Sequence, residues 1–229
     1  MADNFTLESK DGVAVLTFNR PEKLNPLNED TVGELERRLI EVREDETANA
    51  MVFTGAGRSF CAGADITALK GVTDQAERAK IFNAVGRGRR RVLARTFDLL
   101  SNMEIPTVAA VNGYAVGGGW LLALCCDLRL AIPEAEFWLP EVDLGTPGPE
   151  RETVLLTKHV GPSLAKEIVL TCRRFKSSEL LEMGLLNRIV GRQELMTQAM
   201  DLAHNLARKP RSALREAKAN VNRAAMGLR

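Results

Sequence analysis

Ala109-Ala110-Val111-Asn112-Gly113-Tyr114-Ala115-Val116-Gly117-Gly118-Gly119-Trp120 is the stretch on which the reading of this chain turns. Three consecutive glycines open a helix rich in Leu and Ala, although each glycine costs a helix interior roughly 0.8–1.0 kcal/mol against alanine. Their grouping at a helix start implies that the backbone itself must be approached closely. A helix N-terminus offers unpaired N–H groups and a partial positive charge, which suits an anion or a developing oxyanion. The stretch is not a dinucleotide fingerprint, because no Gly-x-Gly-x-x-Gly follows a first strand with an acidic partner downstream. It is not a Walker loop either, since no Gly-Lys-Ser/Thr ending is present.

A second unusual stretch lies upstream. Ser59-Phe60-Cys61-Ala62-Gly63-Ala64-Asp65-Ile66 follows a strand and the turn Gly55-Ala56-Gly57. Its small residues allow main-chain N–H groups to meet a ligand. By itself the stretch reads first as a tight turn before a helix.

Around these two stretches strands and helices alternate. Val13 to Phe18 reads as a strand closed by Arg20-Pro21, and Thr31 to Val42 has helical apolar spacing. Ala50 to Thr54 predicts a strand, Ala76 to Asn102 a long helix stopped by Pro106, and Thr107 to Val111 another strand. Gly117 to Leu124 begins a helix, Asp127 to Ile132 is a strand, and a short strand is expected at Asn187 to Val190. Helices dominate the last third. The pattern predicts an α/β core with a helical extension that is not an independent domain.

Composition narrows the function. Of 229 residues, 45% are hydrophobic and 27% charged, with 31 Lys plus Arg against 30 Asp plus Glu. This balance excludes a wholesale polyanion binder and a disordered chain. The longest apolar stretch, Trp120 to Cys126, is far short of the roughly 20 residues that span a bilayer. Cys61, Cys125, Cys126 and Cys172 fit no zinc spacing and read as small buried thiols in a reducing compartment. No metal cluster is visible, and His159 and His204 read as structural or surface residues. The start, Met-Ala-Asp-Asn-Phe-Thr, carries no secretory or organellar pattern, so a cytoplasmic location is expected.

Taken together, the motifs resemble the crotonase, or enoyl-CoA hydratase/isomerase, superfamily. The resemblance runs from Arg20-Pro21-Glu22-Lys23-Leu24-Asn25 through Cys61-Ala62-Gly63-Ala64-Asp65 and the triple glycine. It continues through Cys126-Asp127-Leu128-Arg129 and Phe137-Trp138-Leu139-Pro140-Glu141 to Glu182-Met183-Gly184-Leu185-Leu186-Asn187. It implies a crotonase-like spiral of ββα repeats over residues 1–190, with a C-terminal helical trimerisation region over 191–229. It also implies a homotrimer or dimer of trimers and an acyl-CoA thioester substrate, with no cofactor beyond the substrate's coenzyme A. Ala64 and Gly118 would supply the two N–H groups of an oxyanion hole. Ala62 would lie beside the adenine, and Lys23 is a candidate for the coenzyme phosphates or an ordinary solvated lysine. Asp65, Ile66, Gly117, Trp120 and Leu121 complete the expected substrate-binding set, with Trp120 read either as bulk in the acyl pocket or as a core aromatic.

The reaction turns on the acids. Hydratases of the family are similar in two glutamates, which together hold and activate a water. Here the first position is Leu121, and only the second, Glu141, is retained. One carboxylate suits proton shuttling, so the expectation is Δ3 to Δ2 enoyl-CoA isomerisation with Glu141 as the carrier. The alternative is hydration with a second acid from Glu150 or Glu152, a pair that reads equally well as surface charge flanking Arg151. Two alternatives of other classes are a non-catalytic acyl-CoA binder and an RNA-binding homologue. The latter would use Arg87, Arg91 and Arg95, four residues apart on one helical face. Near-zero net charge and the lack of an aromatic stacking set make nucleic acid an unlikely partner.

Overall fold

In the computed structural model the described residues are 3–148 and 150–225, without the side chains of Val85, Glu150, Arg151 and Glu152. Two sheets organise the chain. The larger has six strands in the order β1-β2-β3-β5-β7-β10: β1 Phe5–Lys10, β2 Val13–Phe18, β3 Ala50–Gly55, β5 Thr107–Val111, β7 Leu128–Ala131 and β10 Arg188–Ile189. The smaller runs β4-β6-β8-β9: β4 Ser59–Cys61, β6 Tyr114–Val116, β8 Glu136–Trp138 and β9 Phe175–Lys176. Only the outer pairs β1–β2 and β8–β9 are antiparallel.

The chain alternates between the sheets in a fixed rhythm. β3 enters the large sheet, β4 the small one, and helix α2 Gln75–Ser101 returns; β5, β6 and α3 Gly118–Cys125 repeat this. β7, β8 and α4 Glu150–Thr171 repeat it again. This is the expected spiral of ββα units. Helix α1 Glu29–Glu44, capped by Asn28, packs on α2, and α5 Ser177–Glu182 lies between β9 and β10.

Continuous apolar runs in β3 and β5 are buried throughout, as strands inside a parallel sheet must be. Phe18 is at the centre of an aromatic cluster, with ring centroids 4.7 Å from Phe5, 4.9 Å from Phe53 and 5.7 Å from Phe60. Helix α6 Leu195–Ala207 places Leu195, Ala199 and Ala203 in the same core, so that core continues past residue 190. Helix α7 Arg211–Ala225 has no buried residue. All four cysteines are buried and free, as their spacing suggested. Among the described residues no helix is long and apolar enough to cross a membrane.

Asn25 locks the approach to the small sheet. It is 1% exposed and left-handed at φ 57°; its Nδ2 donates to the carbonyls of Ala56 at 3.1 Å and Ser59 at 2.8 Å, while Oδ1 accepts from Arg20 N at 2.9 Å. Losing that side chain strands buried backbone groups, each worth about 1–3 kcal/mol. Asn25→Ala is therefore expected to lose about 2–3 kcal/mol of stability, read from the urea midpoint. A midpoint equal to wild type would refute this clamp.

Candidate active site

Three parallel strand ends build the site. β4, β6 and β8 are neighbours in one sheet, so the segments leaving them emerge side by side. These are Ala62–Ala64, Gly117–Gly118 and Pro140–Glu141. Ligands of open α/β sheets commonly sit at the carboxyl ends of the strands. Here a cavity of about 680 Å³ opens there, lined among others by Lys23, Ala62, Ala64, Asp65, Ile66 and Gly117, with Glu141 at its inner wall.

The glycines have separate reasons. Gly117 has φ 48° and ψ −124°, and a Cβ there would stand 2.7 Å from Glu141 Oε1. A Cβ on Gly119 would meet the Cys61 carbonyl oxygen at 2.4 Å, so the helix can press against β4 only without a side chain. Gly63, at φ 74°, passes equally close to the Val116 carbonyl, where a Cβ would be 2.5 Å away. Close backbone approach, inferred from the glycine run, is thus the reason for it.

Two main-chain N–H groups near this space are free of the pairing around them. Gly118 is the first residue of α3, and its N–H has no acceptor within the helix. Ala64 forms a parallel bridge with Leu27, in which Leu27 N donates to Gly63 O at 2.7 Å and Asp65 N to Leu27 O at 3.0 Å. Those bonds use the neighbours of Ala64, so its own N–H is directed to the opposite side. Ala64, Gly118 and Glu141 all line a smaller cavity of about 50 Å³ beside the larger one.

Glu141 is mostly enclosed, and its Oε2 is buried without a hydrogen-bond partner. Burial pushes its pKa up from 4.5 to about 7, opposed only by its own backbone N–H. Leu121, 1% exposed, shares a small gap with Glu141, Leu139, Pro147, Gly148, Thr153 and Val169. The position that lacks a second carboxylate is therefore occupied by a hydrocarbon side chain, with Thr153 bordering the same gap. The backbone of Glu150 and Glu152 opens α4, but their side chains lie outside the described residues.

The remaining candidates divide. Lys23 is exposed on a short turn at the mouth, and Ile66 is 49% exposed there. Burial disfavours the Asp65 carboxylate, but hydrogen bonds from Thr67 N and Oγ1, with Arg20 and Lys23 nearby, hold its pKa below the ordinary value. Asp65 thus shapes the turn after the Ala64 bridge. Trp120 is a correction to the pocket reading: it is 1% exposed, with its ring 5.8 Å from Phe137 and 6.2 Å from Phe175. Its bulk fills the core beneath the site.

Several lining residues went unread in the sequence. Tyr114 and Trp138 meet edge to face at 6.0 Å on the cavity wall, and Arg174 lies over Trp138 at 4.4 Å. Arg89 lines the smaller cavity. Its signal was legible, since Phe82, Arg89, Leu93, Phe97 and Leu100 recur at helical spacing and are all buried. The basic face reads differently as well: Arg95 is held by Glu36 at 2.7 and 3.1 Å, while Arg87 and Arg91 are exposed. Among the described residues no group of three His, Cys, Asp or Glu side chains could hold a metal ion.

A ββα spiral that brings Ala64, Gly118 and one largely buried glutamate to a shared cavity defines the crotonase class. The chain matches the enoyl-CoA hydratase/isomerase family over residues 8–228. It is 38% identical to a crotonyl-CoA hydratase of Syntrophomonas wolfei over 96% of this chain and 82% of the relative. It is 39% identical to a short-chain-enoyl-CoA hydratase of Clostridium acetobutylicum, with the same coverage. Among solved structures, Pseudomonas aeruginosa DspI superposes with a TM-score of 0.86 at 29% identity, covering 99% of this chain and 83% of that one. The protein belongs to the enoyl-CoA hydratase/isomerase family and is an enzyme of it.

The raised pKa of Glu141 has a definite sign. The native chain keeps the proton up to about pH 7, while the unfolded chain releases it near 4.5, so stability falls as pH rises between them. Each pKa unit is worth about 1.4 kcal/mol. Glu141→Gln is expected to be about 2–3 kcal/mol more stable than wild type at pH 8 and nearly equal at pH 4, measured by chemical denaturation. An equal stability at both pH values would show that Glu141 is solvated.

Proposed function

We propose that this enzyme moves the double bond of an enoyl-CoA thioester from Δ3 to Δ2, with Glu141 as the single proton carrier. The observation that supports this most strongly is the buried Leu121 beside one carboxylate whose Oε2 has no partner. Water addition in this family needs a second acid to hold and activate the water, and Leu121 cannot provide it. Proton transfer between two carbons needs only one carboxylate that can reach both.

The chemistry follows from the geometry. The thioester carbonyl oxygen accepts from Ala64 N–H and Gly118 N–H, and the Glu141 carboxylate removes a proton from C2. The electron pair delocalises onto the carbonyl oxygen, where the two fixed dipoles hold the dienolate; one such donor is worth roughly 2.7–4 kcal/mol elsewhere. Glu141 then returns the proton to C4, the double bond settles between C2 and C3, and the carboxylate is regenerated. A pKa of about 7 suits both halves, because the group must take and give a proton at neutral pH. Coenzyme A enters as part of the substrate, and no further cofactor has a role in this scheme. The same proposal includes assembly as a trimer or dimer of trimers through the unburied helix α7, for which light scattering should give three or six chains.

A second reading has its own support. The Syntrophomonas and Clostridium relatives are named hydratases. The loop after Gly145 also passes against Glu141, since a Cβ on Gly148 would stand 3.3 Å from its Cγ. Glu150 follows two residues later, so hydration with Glu150 or Glu152 as the second acid is the alternative.

Purified protein with 3-enoyl-CoA should yield 2-enoyl-CoA without water addition, and kcat/KM should rise with pH to a plateau above about 7. Glu141→Gln should lower the rate by at least about a hundredfold. Hydration of 2-enoyl-CoA that disappears in Glu150→Gln or Glu152→Gln would overturn the one-carboxylate mechanism.

A further inference from the structure

Arg89 is the charged side chain that the mechanism leaves unused. It is 5% exposed, yet it sits on the core-facing stripe of α2 between Phe82 and Leu93. The space for it is built in: a Cβ on Gly86, one turn earlier, would stand 3.0 Å from Arg89 Nη2. Side chains on a helix lean towards its N-terminus, and Arg89 does so until its guanidinium stands 5.5 Å from the Phe82 ring centroid. Nη1 donates to the Leu27 carbonyl at 3.4 Å, a long and therefore weak bond.

A buried guanidinium is ordinarily paired with a carboxylate, because an unpaired buried charge is expensive. Among the described residues none forms an ion pair with Arg89. Asp65 contributes only a field at a distance, while burial first, and then neighbouring Arg90, push the Arg89 pKa down. Glu141 does not serve as the counter-ion, since its pKa is raised by burial. The smaller cavity, which Arg89 lines with Ala64, Gly118, Phe82 and Glu141, measures about 50 Å³. Roughly 10–15 Å³ admits one water, so this space takes a group of a few non-hydrogen atoms.

We propose that Arg89 is a specificity-determining residue that binds a carboxylate at the far end of a short acyl chain. The substrate class is then the coenzyme A monothioester of a small unsaturated dicarboxylic acid. This inference rests on the acyl-CoA reading of the site but not on which reaction follows. A thioester held between Ala64 and Gly118 directs its acyl group past Glu141 into the space that Arg89 closes. The planar guanidinium can donate two parallel N–H bonds to a carboxylate there, with the cavity wall excluding water. A plain hydrocarbon end would leave the buried charge unpaired, so the site would discriminate against it.

Binding without turnover tests this separately from the reaction. Glutaryl-CoA and pentanoyl-CoA are saturated five-carbon thioesters that differ in the terminal carboxylate, and their affinities can be compared by titration calorimetry. Wild type should bind glutaryl-CoA about 10- to 100-fold more tightly, the range expected for hydrogen bonds to a charged group. Arg89→Met should bring the ratio to within about threefold of unity, and Arg89→Lys should retain part of the preference. Equal affinity of wild type for the two esters, or a preference for pentanoyl-CoA, would overturn the proposal. So would an equal loss for both esters in Arg89→Met, which would make Arg89 a support for the Leu27 strand. If neither ester binds, the acyl-CoA reading fails, and this inference fails with it.

Discussion

Parallel alignment of β4, β6 and β8 is the constraint on which the site depends. Parallel neighbours end on the same side, so three segments far apart in sequence leave the sheet next to one another. One carries Ala64, one Gly118 and one Glu141. The alignment also imposes a steric condition, because successive exits are packed backbone to backbone. Gly63 against Val116 and Gly119 against Cys61 meet at distances that no Cβ would permit. The glycines are thus the means by which the donors reach one cavity, and their helix cost is borne for that contact.

Electrostatics then distinguishes the members of the site. Ala64 and Gly118 bring main-chain dipoles to the small cavity. Glu141 is a carboxylate whose surroundings oppose ionisation. Leu121 borders one side of it with hydrocarbon. Arg89 is a buried cation that no carboxylate among the described residues pairs.

The sequence read alone carried most of the large sheet and the long helices, because their apolar runs are long enough to have a period. Val13 to Phe18 and Thr107 to Val111 are strands with those bounds. The small sheet was not legible. β4, β6 and β8 have three residues each, and β9 has two, too few for any periodicity to register. β1 was missed as well, since its outer face is polar and exposed. Trp120 was left open between pocket and core, for a large aromatic beside a glycine run gives no sign of which way it faces, and the structure places it in the core. Arg89 was passed over among Arg87, Arg90, Arg91 and Arg95, where a count of charges suggested a surface patch although its helical spacing with Phe82, Leu93 and Phe97 marked it as core-facing.

What the sequence determined by itself was the class of the molecule: alternating strands and helices and two glycine-rich stretches, from which the family resemblance then implied one retained glutamate and a leucine at the other acid position. These follow from residue type and order, which need no coordinates. What only the tertiary structure decided was environment. The burial of Glu141, the packing of Leu121 beside it, the seat of Trp120 in the core and the burial of Arg89 each depend on residues distant in the chain. Solvation and Coulomb energies depend on distance through space, and folding alone sets those distances.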